Sequence, residues 1–158
     1  MTVVVKAEML IRRPQAQVFN AFVDPAVTTH FWFTRSSGKL EAGKRIRWDW
    51  EMYGVHEEIA VKAIEPDSHI VYDWSFPDFN TVEWTFTPRG ADATMASVVN
   101  SGFKGEADSI VAQALDSTQG FNIVLCAAKA WLEHGIELNA VADKAPDRHT
   151  EAWKTSGE

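Results

Sequence analysis

The sequence predicts an α+β domain in which a curved antiparallel sheet of about six strands wraps around one long C-terminal helix. Two observations carry this. Large aromatic residues recur at every second position through the middle of the chain, among them Trp48, Trp50, Trp74, Phe76, Trp84 and Phe86, in runs separated by turns. The period then changes to that of a helix, with Phe121, Leu125, Ala128, Leu132 and Ile136 on one stripe.

Each element follows in order. Residues 3–12 alternate Val5, Ala7, Met9 and Ile11 with Lys6, Glu8, Leu10 and Arg12, so one face is largely apolar, which is the pattern of a strand. Pro14 opens a helix to about residue 23 on the apolar set Val18, Phe19 and Phe22. Asp24 caps a second short helix with Pro25 in its first turn. Residues 29–38 read as a loop with an aromatic start. Strands are predicted at 45–52, 55–64, 69–76, 80–87 and 93–101, with Tyr53-Gly54 and Glu65-Pro66-Asp67-Ser68 as turns. Beyond Glu106 the spacing is helical, and Gly120 predicts a bend or break before a long helix over 121–138. Most of that helix's circumference is apolar, so most of it is expected to be covered.

Composition fixes the class. The 158 residues are 46% hydrophobic and 23% charged, which suits one globular domain. The domain is expected over residues 1–140, with 141–158 a loosely ordered tail whose Trp153 is the candidate for docking. No apolar stretch is long enough to insert in a membrane, and Lys6, Glu8, Arg12 and Arg13 leave no signal-peptide core. A cytoplasmic protein is expected. Cys126 is the one cysteine, so no intrachain disulfide forms, and its apolar neighbours read it as a packing residue. The net charge of −7 argues against a nucleic-acid partner.

The order of elements, with IRRPQAQVFNAFVDP (11–25), Phe31-Trp32, VKAIEPDSHIVYDWSF (61–76), GADATMASVVNSGF (90–103) and Gly120-Phe121, resembles the SRPBCC (START-like) superfamily. Within it, the chain is similar to bacterial homologues of the activator of the heat-shock-protein-90 ATPase. The likeness covers about residues 3–140. It implies the helix-grip fold, which hosts binding proteins, cyclases, hydroxylase components and co-chaperones.

A sheet curled around one helix is hard to fill. Trp48, Trp50, Tyr72, Trp74, Trp84, Phe86 and Phe103 are candidates to line a ligand cavity from the sheet. Phe121, Leu125, Ala128 and Leu132 face them from the helix; ordinary packing is the stronger reading for any one of these residues, and the cavity for the set. Trp32 belongs to a second candidate, the loop of His30, Phe31, Trp32, Phe33 and Arg35, which could gate the mouth or be a packed helix end. His56, Glu57 and Glu58 are third. Alternation puts His56 and Glu58 on one face as a possible acid–base pair or a surface pair, with Glu57 on the other. Arg47, Asp49 and Glu51 read as a solvated face, and His69 and His134 as exposed. No metal-ligand spacing, phosphate loop or nucleophile elbow occurs, and no cofactor or metal is implied.

The leading expectation is therefore binding of a hydrophobic or aromatic small molecule, lipid-, polyketide- or hormone-like. The alternative is a polyketide cyclase or dehydratase, which requires at least two of His56, Glu58, Tyr72 and Arg35 to converge in the cavity. A co-chaperone role ranks third, from the resemblance alone. The assembly expected is a monomer or weak homodimer.

Overall fold

The structure, a computed structural model, describes residues 2–75 and 78–156. Strand β1 (Val5–Ile11) leads into helices α1 (Gln15–Val23) and α2 (Pro25–Thr28). Strands β2 (Arg35–Ser36), β3 (Arg45–Trp50), β4 (Val55–Glu65), β5 (His69–Trp74), β6 (Asn80–Pro88) and β7 (Thr94–Ser101) follow. Helix α3 (Ala107–His134) precedes α4 (Ala140–Asp143) and α5 (Glu151–Ser156). The strands form one antiparallel seven-stranded sheet in the order β1-β7-β6-β5-β4-β3-β2. The strand count exceeds the expected six because of β2. It pairs Arg35 with Asp49 and Ser36 with Trp48, and two residues are too few to show an alternation. Phe76, expected on the aromatic face, lies outside the described residues.

Alternation sorts the sheet as the sequence indicates. Ile46, Trp48 and Trp50, then Ile59 and Val61, then Ile70 and Tyr72 are buried on the concave side. The β4–β5 ladder carries a register shift between Val61 and Ala63, an irregularity of the kind that increases local twist. Strand β3 stops at Trp50, two residues early, because Glu51–Tyr53 form a single 3-10 turn closed by Gly54 at φ 61°. At the second helix, Asp24 caps as expected, accepting from the Ala26 N–H at 3.0 Å.

Helix α3 departs from expectation. It runs unbroken through Gly120, and it ends at His134 instead of 138. Tertiary contacts on the following turns override the modest helical cost of one glycine. Gly135, at φ 65°, turns the chain out, with its N–H on Trp131 O at 2.9 Å and the Ile136 N–H on Ala130 O at 3.3 Å. Ile136 thus leaves the stripe and is exposed. Only the second half of α3 is covered, with Phe121, Val124, Leu125, Ala127 and Ala128 buried, while Val111 and Leu115 in the first half are exposed. Cys126 is exposed, not packed, since it falls on the side of α3 opposite that stripe.

The helix is tied to the edge strand by charge. The Arg12 N–H and the Lys129 ammonium both donate to the Glu133 carboxylate, at 2.8 and 2.6 Å, and Lys129 also reaches Leu10 O at 2.8 Å. Past α3, residues 140–156 carry α4, a 3-10 turn at Pro146–Arg148 and α5. Val141 and Trp153 pack against the core. The Tyr53 hydroxyl donates to Val141 O and to Ala142 O, His149 Nε2 lies 2.7 Å from Ala142 O, and the Thr150 N–H donates to Met52 O at 2.8 Å. Residues that read as a tail thus form a cap on the β3–β4 connection. Among the described residues no helix is long and apolar enough to cross a membrane.

Candidate functional site

The concave side is filled at one end. Phe22 of α1 lies 4.4 Å from Trp84 and 5.6 Å from Phe86, ring centre to ring centre, and Phe19 adds an edge contact to Phe86. At the other end a cavity of about 470 Å³ remains between β3–β7, α3 from Gln113 to Val124 and the cap. Trp32, Trp50, Trp74, Phe103 and Phe121 give it an aromatic wall. Phe121 is the divider. Its ring stacks on Trp74 at 5.5 Å on the cavity side and meets Trp84 edge-on at 5.8 Å on the packed side.

A polar wall faces the same space. Asn80 and Asn100 sit at inward positions of β6 and β7 and are buried. The Trp74 Nε1–H donates to Asn80 Oδ1 at 2.7 Å, Asn100 Nδ2 donates to the same oxygen at 2.6 Å, and Ser117 Oγ of α3 donates to Asn100 Oδ1 at 2.7 Å. Glu57 lines the cavity from β4 at 7% exposure, accepting from Ser75 Oγ at 2.8 Å. Asp116, Lys144 and Arg148 stand at the exposed rim, with Lys144 Nζ on Gln119 Oε1 at 2.6 Å. Tyr53, which also lines the cavity, has its hydroxyl pKa raised by burial. No group of three His, Cys, Asp or Glu among the described residues could hold a metal ion.

The aromatic residues expected to line a cavity therefore divide. Trp32, Trp50, Trp74, Phe103 and Phe121 do so. Trp48, Tyr72, Trp84, Phe86, Leu125 and Ala128 do not, being at most 1% exposed within solid core, and Leu132 is half-buried against that core. Of the loop 29–38, Trp32 reaches the cavity and its neighbours are packed away from it. Phe31 and Phe33 are buried, Phe33 stacking on Trp48 at 4.5 Å, while His30 stacks on Trp131 at 3.9 Å and meets Glu137 at 2.6 Å.

The acid–base candidates do not meet. His56 and Glu58 lie on the convex face, where Glu58 accepts from Arg45 at 2.7 Å and His56 pairs across from Asp49. Arg35 is on that face too, 3.7 Å from Asp49. Tyr72 is fully buried, its oxygen accepting from Trp84 Nε1 at 3.1 Å, and burial raises its pKa. Asp49, expected in water, is largely covered by arginine side chains. The Arg47 guanidinium, hydrogen-bonded to it at 2.9 Å, holds its carboxyl below the usual range. His134 is exposed as expected, whereas His69 is half-buried, 2.7 Å from Glu83.

Asn80, Asn100 and Ser117 escaped the sequence reading, and Glu57 is placed there on the other face from His56 and Glu58 without being read as a cavity residue, although a signal existed. Glu57 shares parity with Ile59 and Val61, Asn80 with Val82 and Trp84, and Asn100 with Ala96 and Val98. Ser117 lies one turn before Phe121 on its stripe.

Residues 12–133 match the family described as Activator of Hsp90 ATPase homolog 1-like protein. The chain belongs to this family. Its cap, α4 onwards, lies beyond the matched residues. Solved structures with the same fold include protein SSP2350 of Staphylococcus saprophyticus, at 28% identity and TM-score 0.74, over 86% of this chain and 96% of that one. The Aha1 dimer of Colwellia psychrerythraea matches at 14% identity and TM-score 0.70, over 84% and 98%. DynU16, from the dynemicin biosynthetic locus, matches at 23% identity and TM-score 0.69, over 85% of this chain and 48% of its own. No curated protein matches the chain in sequence at a significant level.

Proposed function

We propose that the chain binds a hydrophobic or aromatic small molecule in the cavity beside α3, as a cytoplasmic carrier or sensor. The observation that carries this reading is the aromatic-walled space of about 470 Å³ in an interior otherwise closely packed. That volume is in the range of small-molecule sites, and six aromatic residues beside a few convergent polar groups are the composition such sites have. The family and its structural relatives are compatible with it. A monomer or weak homodimer is the assembly proposed alongside.

Thermal-shift and tryptophan-quenching titrations with a panel of fused-ring, phenolic and long-chain ligands test the proposal. A ligand at a hundred times its Kd adds about 2.7 kcal/mol to stability. Trp50 and Trp74 in the wall should report the same event by fluorescence. Gly120→Leu, which places a side chain in the cavity, is expected to abolish both signals. A panel that leaves melting and fluorescence unchanged defeats the reading.

A further inference from the structure

The polar wall of the cavity has a direction, and it follows from groups whose hydrogen-bonding role is fixed. An indole N–H can only donate, so the atom of Asn80 that meets Trp74 Nε1 at 2.7 Å is its oxygen. That oxygen also meets Asn100 at 2.6 Å, so the Asn100 atom there is its NH2. The backbone carbonyl Thr81 O, which can only accept, takes the second amide proton at 2.8 Å and fixes the same orientation independently. Asn100 therefore turns its carbonyl oxygen to Ser117, and the Ser117 proton is committed to it at 2.7 Å. One turn earlier on α3, Gln113 Nε2 spends its protons on Lys104 O and Ser109 Oγ, both at 3.0 Å. What Gln113 has left is its oxygen. Gln113, Asn100 and Ser117 all line the cavity, with the Asp116 carboxylate beside them.

We infer that the α3–β7 wall is an acceptor-only surface that selects ligands carrying a hydroxyl, phenol or amine donor over those carrying an ether or carbonyl at that position. The inference rests on the cavity being a ligand site. Donor groups line the cavity from other elements: the Trp32 and Trp50 indoles, and Lys144 and Arg148 at the rim, while the Asn80 amide, the Tyr53 hydroxyl and the Trp74 indole donate to Asp78 O, to Val141 O and Ala142 O, and to Asn80 Oδ1. A bound molecule is thus oriented with its donor end on α3. The physical basis is asymmetric: an acceptor facing an acceptor leaves both unpaired and desolvated, whereas a donor satisfies two groups at once.

The test uses a matched pair, 2-naphthol and 2-methoxynaphthalene, titrated against the full chain by tryptophan quenching. The ether is the more apolar, so burial alone favours it. The wall predicts the reverse, with naphthol bound about tenfold more tightly. Asn100→Leu frees the Ser117 proton and should bring the ratio to about one. Gln113→Leu/Ser117→Ala, confined to the half of α3 that packs no core, should lower it at least about threefold and serves where Asn100→Leu does not fold. Equal binding of both probes by the natural chain, or a ratio unchanged in a folded variant, overturns the inference and leaves the cavity reading standing. Binding of neither probe overturns the inference, while the cavity reading is decided by the wider ligand panel.

Discussion

Helix α3 lies over two different interiors. Its second half packs Leu125, Ala127 and Ala128 into close-packed core, while Gln113, Asp116, Ser117 and Gly120 face open space, with Phe121, Ile123 and Val124 at the border. The sheet beneath is one continuous ladder, so the difference comes from the opposite layer. Helices α1 and α2, with the turn after them, push Phe22, Phe31 and Phe33 into one end. The other end is roofed only by the cap, whose Val141 and Ala145 are too short to fill it. A single curved sheet thus builds core and container side by side, according to the size of the side chains laid over it.

The largest expected effect separates the halves directly. Trp84→Ala empties a site with no room to relax and should cost about 3–5 kcal/mol in urea unfolding. Phe103→Ala, at the cavity, should cost about 1 kcal/mol, because its ring is half-buried against space and not against neighbours. Equal costs for the two would erase the distinction.

A smaller effect concerns how each end of α3 is fastened. The covered end is held through Glu133, the open end through neutral groups such as Ser117 and Asn100. Burial alone raises the Glu133 carboxyl; the Arg12 N–H and the Lys129 ammonium outweigh it and hold the group below its ordinary 4.5. A folded value below the unfolded one means stability that is complete above the unfolded pKa and lost as pH falls through the folded one. Glu133→Gln should therefore cost about 1–3 kcal/mol at neutral pH and flatten the acid limb of a stability profile below about pH 4.5. A limb of unchanged steepness would assign the acid sensitivity elsewhere.

The smallest effect is a gain. Gly120 lines the cavity within a regular helix, and a Cβ there would meet no heavy atom within 4 Å. Gly120→Ala should stabilise the chain by about 0.5–1 kcal/mol, read from the shift in urea midpoint. Destabilisation would mean that the space above it is not open.

Legibility in the sequence follows the same division. The strands, both short helices and the Asp24 cap are written in local alternation and turn chemistry, which need no partner to be read. Seven strands in place of six, the uninterrupted α3 and the exposed Cys126 depend on contacts made elsewhere in the chain. The cavity wall is an intermediate case. Parity marks Trp50 and Trp48 as equally inward, but only the placement of Phe33, stacked on Trp48, decides which ring is sealed and which faces the void. The same parity marks Glu57 as inward, yet a charged residue between His56 and Glu58 reads first as part of a charged strand. A polar residue at an inward position is the more telling sign, because burial without purpose is costly.

The cap is fastened by main-chain atoms: Tyr53 and His149 hold carbonyls of residues 141 and 142, and Thr150 holds the carbonyl of residue 52. None of those attachments reads the identity of residue 145 or 148. The lip of the container can therefore be rewritten by substitution at those two places while its clasp stays shut, so that affinity for new guests is separable from foldedness.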